Sequence, residues 1–233
     1  MCALALLAGT VRSYAFDDPA VPPVSEIVSR LEDADRVRRQ TSTGYTGSRT
    51  YSVENSRFHM KATMKVDVIV DGAGRKQFRV LEMTGPGAVK KMVFQKMLDT
   101  EAKASTEQDE TRVSAANYDF EFEKTVVENG RTSFVLQATP KTKNSLLFRG
   151  RIWVDSVEYA VSRIEAAPAQ SPSFWVKKTG FQHDYKKVGN QWLAEANHSQ
   201  SDVRMFGTTK VTIEYTGYRL NSPAVTEASQ TGN

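Results

Sequence analysis

The run from Met60 to Asp71 alternates residue by residue, with Met60, Ala62, Met64, Val66, Val68 and Val70 on one side and Lys61, Thr63, Lys65, Asp67, Ile69 and Asp71 on the other. Successive side chains of a β-strand point to opposite faces, so this is a strand with one apolar and one mostly polar face. Asp71-Gly72-Ala73-Gly74 then turns the chain, and residues 75–84 return antiparallel as a hairpin. The change to this period begins at Tyr45 and governs most of the chain beyond it. Further strands are predicted at 118–127, 132–139, 146–155, 159–165, 174–187, 191–202 and 208–220. Glu128-Asn129-Gly130-Arg131, Gly189-Asn190 and Phe206-Gly207 fall where tight turns are needed, and Pro140 stops a strand. About ten long strands at even spacing predict one extensive antiparallel sheet, and an open sheet of that size curls.

Two segments follow a helical period instead. After Pro19, Pro22 and Pro23, the residues Val24, Ile27, Val28, Leu31 and Ala34 recur with charged residues between them, which predicts an amphipathic helix starting at Pro23 or Ser25 and ending within 41–44. Gly85-Pro86-Gly87 breaks the sheet, and 89–105 reads as a helix with a broad apolar stripe of Val89, Met92, Val93, Phe94, Met97 and Leu98. A stripe that wide is covered on more than one side or borders a pocket. Residues 106–111 are polar and read as a loop, and the polar tail 221–233 is expected to be disordered. The predicted fold is mainly β (α+β): a strongly curved antiparallel sheet, an incomplete barrel, wrapped around helices that cover an apolar interior. Side chains could fill that interior, or a ligand could enter it. Residues 16–220 read as one domain, without repeats or a linker.

Composition excludes several chemistries. The one cysteine, Cys2, rules out an intramolecular disulfide, a Cys-based zinc site and a CxxC pair. The three histidines, His59, His183 and His198, lie in no metal-binding motif, and there is no HExxH, GxSxG or P-loop. No nucleophile, base and orienting acid stand together, so no catalytic residue, metal or cofactor is expected, and the chain is not read as an enzyme. His183, in Phe181-Gln-His-Asp-Tyr185, reads as a half-exposed strand histidine, and Asp119, Glu121 and Glu123 as a solvated strand face. Thirty-one basic against 27 acidic residues give +4. No dense basic stripe or recognition motif accompanies that charge, so nucleic acid is not an expected partner, whereas anionic lipid headgroups remain compatible with it.

The first residues, Met-Cys-Ala-Leu-Ala-Leu-Leu-Ala-Gly, are apolar and lead to Ser13-Tyr14-Ala15. The small residues Ser13 and Ala15 read as the end of a secretory signal cleaved after Ala15, with residues 1–15 as its remnant and the basic part upstream of the given start. The expected location is periplasmic. Met60, Met64, Met92 and Met97 are either core filling or a pliable surface for varied apolar partners. Ser171-Pro-Ser-Phe-Trp175 reads as a buried anchor or as an aromatic lip.

Phe148-Arg-Gly-Arg-Ile-Trp-Val-Asp155, Tyr159-Ala-Val-Ser-Arg-Ile-Glu165, Ser171-Pro-Ser-Phe-Trp-Val-Lys-Lys178, Tyr185-Lys-Lys-Val-Gly189 with Trp192-Leu193, Asp202-Val-Arg-Met-Phe-Gly207 and Ile213-Glu-Tyr215 resemble the outer-membrane lipoprotein-sorting proteins of the LolA, LolB and RseB group. The resemblance spans roughly residues 24–220. It implies an incomplete, bent barrel with helices as a lid over an apolar cavity that takes acyl chains of lipoproteins crossing the periplasm. Its implied partners are lipoproteins or lipids, with transient contacts to an inner-membrane release complex and an outer-membrane acceptor. On this reading Met60, Met64, Val66, Val68, Phe78, Val80, Met92, Phe94 and Met97 line the cavity under the helices 24–31 and 89–98, and Met64→Asp abolishes acyl binding. Ser13-Tyr14-Ala15 supplies no lipidated cysteine, which favours a soluble carrier. An envelope-stress sensor on the same fold is the alternative; it needs a partner-binding domain, and only 13 residues follow Leu220. A structural envelope module would instead show a filled interior.

Overall fold

The computed structural model describes residues 21–87, 89–170, 176–205 and 207–222. The signal-like segment 1–15, the segment 171–175 and the tail from residue 223 lie outside the described residues.

The order of elements is α1 (Val24–Gln40), β1 (Tyr45–Asn55), β2 (Met60–Val70), β3 (Lys76–Thr84), a π-helical turn (Val89–Phe94) running into α2 (Gln95–Thr106), α3 (Gln108–Thr111), then β4 (Tyr118–Glu128), β5 (Arg131–Pro140), β6 (Phe148–Asp155), β7 (Val161–Pro168), β8 (Val176–Val188), β9 (Gln191–Val203) and β10 (Gly207–Leu220). The ten strands among the described residues form one antiparallel sheet in the order β3-β2-β1-β10-β9-β8-β7-β6-β5-β4. The two ends, β3 and β4, do not pair, so the barrel stays open. The first strand closes on the last: Tyr51 stands opposite Ile213 and Val53 opposite Val211. Register shifts in the β1–β10, β2–β3, β4–β5, β6–β7 and β8–β9 pairs insert extra residues that bend the strands.

Local chemistry explains the turns. Asp71 Oδ1 accepts the Arg75 amide at 3.0 Å, and the Gly74 amide donates to Asp71 O at 2.9 Å, which tightens the β2–β3 hairpin. Pro23 caps α1, and its carbonyl accepts the Glu26 amide at 2.9 Å. Residues 108–111, expected as loop, form the short helix α3, with Asp109 and Glu110 in its first turn, where carboxylates favour a helix. Gly150 sits where β6 and β7 approach closely: a Cβ there would lie 2.2 Å from Glu165 O and 2.5 Å from Ala166 Cα, both backbone atoms. Gly150→Ala must therefore push β6 away from β7. A loss of about 1–3 kcal/mol or more is expected in urea unfolding, and unchanged stability would contradict this packing.

One row of paired residues crosses the whole sheet: Phe122, Leu136, Ile152, Ile164, His183, Asn197, Ile213, Tyr51, Met64 and Met83. Directly opposed residues share a face, so this row marks one side of the sheet. It is apolar toward both edges and polar at the middle. The helices cover the two apolar parts separately. Ile27, Val28 and Leu31 of α1 pack with Phe134, Leu136, Ile152, Val154 and Ile164. Phe94 and Leu98 pack with Tyr51, Val53, Met64, Val66 and Val68. Two cores thus flank a central strip of β8, β9 and β10 whose inner residues, His183, Asn197, Ser199 and Ile213 among them, are half-buried.

Candidate functional site on the covered face

The nine residues expected to line one cavity divide in three. Met64, Val66, Val68 and Phe94 are buried, and Met60, Phe78 and Met97 are partly buried against the same cluster. They are packed among themselves, and Met64 and Val66 are wholly shut from water, while Val68 and Phe78 also border an open hollow of about 500 Å³ shared with Thr46, Ser48, Asp67 and Arg79. Val80 and Met92 stand outside that cluster; they are 43% and 72% exposed. An α-helical spacing would place Met92 inward, but the Val89–Phe94 turn is π-helical. Its wider turn brings Val89, Val93 and Phe94 onto the core and swings Met92 outward. Val80 lies on the unpaired edge strand, opposite Val66 where the β2–β3 register shifts. Met64→Asp would accordingly bury a carboxylate in a packed core, so it reports on folding rather than on a ligand.

The helix α2 is tied to the sheet by charge. Glu101 accepts hydrogen bonds from the Arg49 guanidinium, from Lys76 Nζ at 2.9 Å and from Tyr51 OH at 3.1 Å. Arg49 is almost fully buried; its guanidinium lies over the Tyr215 ring at 4.8 Å and the Phe78 ring at 5.6 Å. Burial alone would raise the Glu101 pKa, but attraction to Lys76 and Arg49, with their hydrogen bonds, holds it down at about 2. Burial would lower the Arg49 pKa, and the neighbouring Glu101 carboxylate reverses this to a net rise. Alternation could have marked Arg49, since it shares a parity with the buried Tyr51 and Val53. Helical spacing from Phe94 and Leu98 places Glu101 on the inward side as well.

Next to this cluster lies His183, stacked on Tyr185 at 4.5 Å and facing Tyr215 at 6.0 Å. It is the half-buried strand histidine expected, but its ring nitrogens are enclosed: its Nδ1 lies 3.4 Å from Tyr185 OH, and its Nε2 is shut from water without a hydrogen-bond partner among the described residues. Burial, assisted by the Lys76 and Arg49 charges and opposed by Glu101 and Asp184, lowers its pKa to about 4. The ring is therefore neutral at physiological pH.

Open space lies on the other side of the strip, beneath the C-terminal half of α1. A cavity of about 280 Å³ is bounded by Leu31, Val113, Ala160, Val161, Ile164, Tyr185 and Trp192, with Asp35, Arg38, Arg39 and Arg112 also on its wall. Arg38 donates to Glu158 O at 3.1 Å and Tyr159 O at 3.2 Å, and burial lowers its pKa despite Asp35 and Glu158. Asp35 pairs with Arg39 at 3.0 Å and with Arg112 at 3.7 Å. Trp192 Nε1 donates to Glu158 Oε2 at 3.0 Å, which fixes its ring on the wall. Apolar side chains form much of this hollow, and cationic groups stand around it. Periodicity could not reveal it, because its walls come from α1, the segment before β4, and strands β7 to β9. No three metal-ligating side chains cluster among the described residues, and no described helix is long and apolar enough to cross a membrane.

Residues 112–221 match a family of unknown function, DUF5686. No curated protein sequence matches the chain. Similar solved structures include a LolA superfamily protein from Nitrosomonas europaea, 7% identical with TM-score 0.46 over 87% of this chain and 96% of that one. A putative outer membrane lipoprotein-sorting protein domain from Vibrio parahaemolyticus is 12% identical, with TM-score 0.46 over 85% and 94%. A DUF1329 family protein from Desulfovibrio piger is 14% identical, with TM-score 0.46 over 86% and 94%.

Proposed function

We propose that this protein is a non-enzymatic periplasmic carrier that takes an acyl chain of a lipoprotein or lipid onto the covered face of its sheet. The observation that carries this reading is the hollow beneath α1, with apolar side chains inside and Arg38, Arg39 and Arg112 around it. An amphipathic anion suits such a site. Each CH₂ leaving water contributes about 0.8 kcal/mol, while the head remains beside the cations. The seat differs from the one expected on β2: the acyl chain enters between α1 and β7–β9. From there the half-buried strip extends toward the Arg49–Glu101 pair, so release of α2 would lengthen the seat for a longer chain.

Trp192 provides the readout. Titration with a bromine-labelled fatty acid is expected to quench its fluorescence, and Trp192→Phe removes that part of the signal. Val161→Trp fills the hollow, and binding is expected to fall at least about tenfold in a protein whose circular dichroism and melting remain close to those of the parent. Unchanged binding in folded Val161→Trp would exclude this cavity. Absence of quenching in the parent would favour a structural module, a reading with which the solid packing between α2 and β1–β2 agrees.

A further inference from the structure

One end of the sheet carries two turns bolted together. The Ser56 amide in the β1–β2 turn donates to Thr208 O at 3.0 Å, and a Cβ on Gly207 would lie 2.9 Å from Arg57 Cβ. Buried Asn55 holds both sides: its Oδ1 accepts the amides of Arg57 and Phe58 at 3.1 Å each, and its Nδ2 donates to Thr209 Oγ1 at 2.9 Å. Each turn holds a large apolar side chain in water, Phe58 at 58% and Met205 at 73% exposure. The backbone there is unusual as well, with φ of 46° at His59 and 65° at Met205. Residues other than glycine rarely adopt this left-handed region, although Asn129 and Tyr159 do so in two other turns.

The charge around these side chains is basic. Arg57, His59 and Arg204 are exposed beside them. Of the nearby carboxylates, Glu54 pairs with Lys61 at 2.9 Å, and Asp202, which keeps its charge, accepts from the Thr208 hydroxyl at 2.8 Å. Exposure alone does not make this surface. Val157, in the β6–β7 turn, is 81% exposed, but no basic residue lies within two positions of it in the chain.

We propose that the paired turns dock on an anionic phospholipid bilayer. Phe58 and Met205 enter the boundary between headgroups and acyl chains, while Arg57 faces the phosphates. This docking is independent of whether the hollow beneath α1 holds a ligand. Co-sedimentation of the full chain tests it, using vesicles of phosphatidylglycerol and phosphatidylcholine in equal parts against vesicles of phosphatidylcholine alone. The expected result is binding to the anionic vesicles, weakened by salt, and weaker binding to the neutral ones. Phe58→Ser with Met205→Ser is expected to reduce binding by roughly tenfold or more with an unchanged circular dichroism spectrum, and Val157→Ser is expected to leave it as it was. Equal binding to both vesicle types, full binding by the double variant, or an equal loss in Val157→Ser would overturn the proposal. Failure of the parent chain to bind either vesicle would overturn it too, and would leave a protein partner as the occupant of this surface.

Discussion

Glu101→Ala is expected to destabilise the protein by about 3–5 kcal/mol, the usual result of removing one partner from a buried ion pair. Arg49 cannot move into water when its partner goes: its side chain is 4% exposed, between the Tyr215 and Phe78 rings. It would be left with Tyr51 OH at 3.4 Å and no counter-charge. Lys76→Met should cost much less, about 1 kcal/mol or below, because it leaves the Arg49–Glu101 contact in place. The loss in Glu101→Ala is expected to be local first. Amide exchange should accelerate across α2 before it does across β5 and β6, because this cluster, with Phe94 and Leu98, holds the helix to the sheet. Uniform acceleration, or a loss under about 1 kcal/mol in urea unfolding, would remove the pair from that role.

Acidification should weaken the fold in two overlapping steps. His183 has its pKa lowered from 6.5 to about 4. Above about pH 6.5 the ring is neutral whether the chain is folded or not, and its contribution is complete. As pH falls below that, the unfolded chain takes up the proton and the folded chain does not, so stability drops until about pH 4. The difference corresponds to about 3 kcal/mol. Glu101 follows, with its pKa lowered from 4.5 to about 2: its contribution is present above about pH 4.5 and is lost toward pH 2. The groups acting on the ring are Tyr185 and Tyr215 by stacking, and Lys76, Arg49, Glu101 and Asp184 by charge. Urea midpoints across this range should fall accordingly, and His183→Gln should flatten the upper step while leaving the lower one. A His183→Gln profile parallel to the parent's would assign the decline to other groups.

Much of the sheet is readable in the sequence because alternation is a local property. Nine of the ten strands lie within a few residues of where alternation and turn residues place them; β1 is visible only as the onset of alternation at Tyr45. The pairing of β1 with β10 is not readable, since it joins residues far apart in sequence and depends on how the whole sheet curls. The candidate site is less legible, for two reasons. Alternation identifies an inward face but not whether that face is packed, so Met64 and Val66 look like a pocket lining and are a core. A single helical period over 89–105 misplaces Met92, because the first turn of that segment is π-helical. The hollow beneath α1 needs Leu31, Val161 and Trp192 at once, and no periodic pattern links residues from three separate elements.

Native mass spectrometry of the protein taken from the cell envelope without detergent tests the central claim most directly. The expected species is heavier than the bare chain by one acylated molecule, which is released on gentle activation and missing from Val161→Trp. Bare chain alone in repeated preparations, or the same adduct retained by Val161→Trp, would contradict the carrier reading.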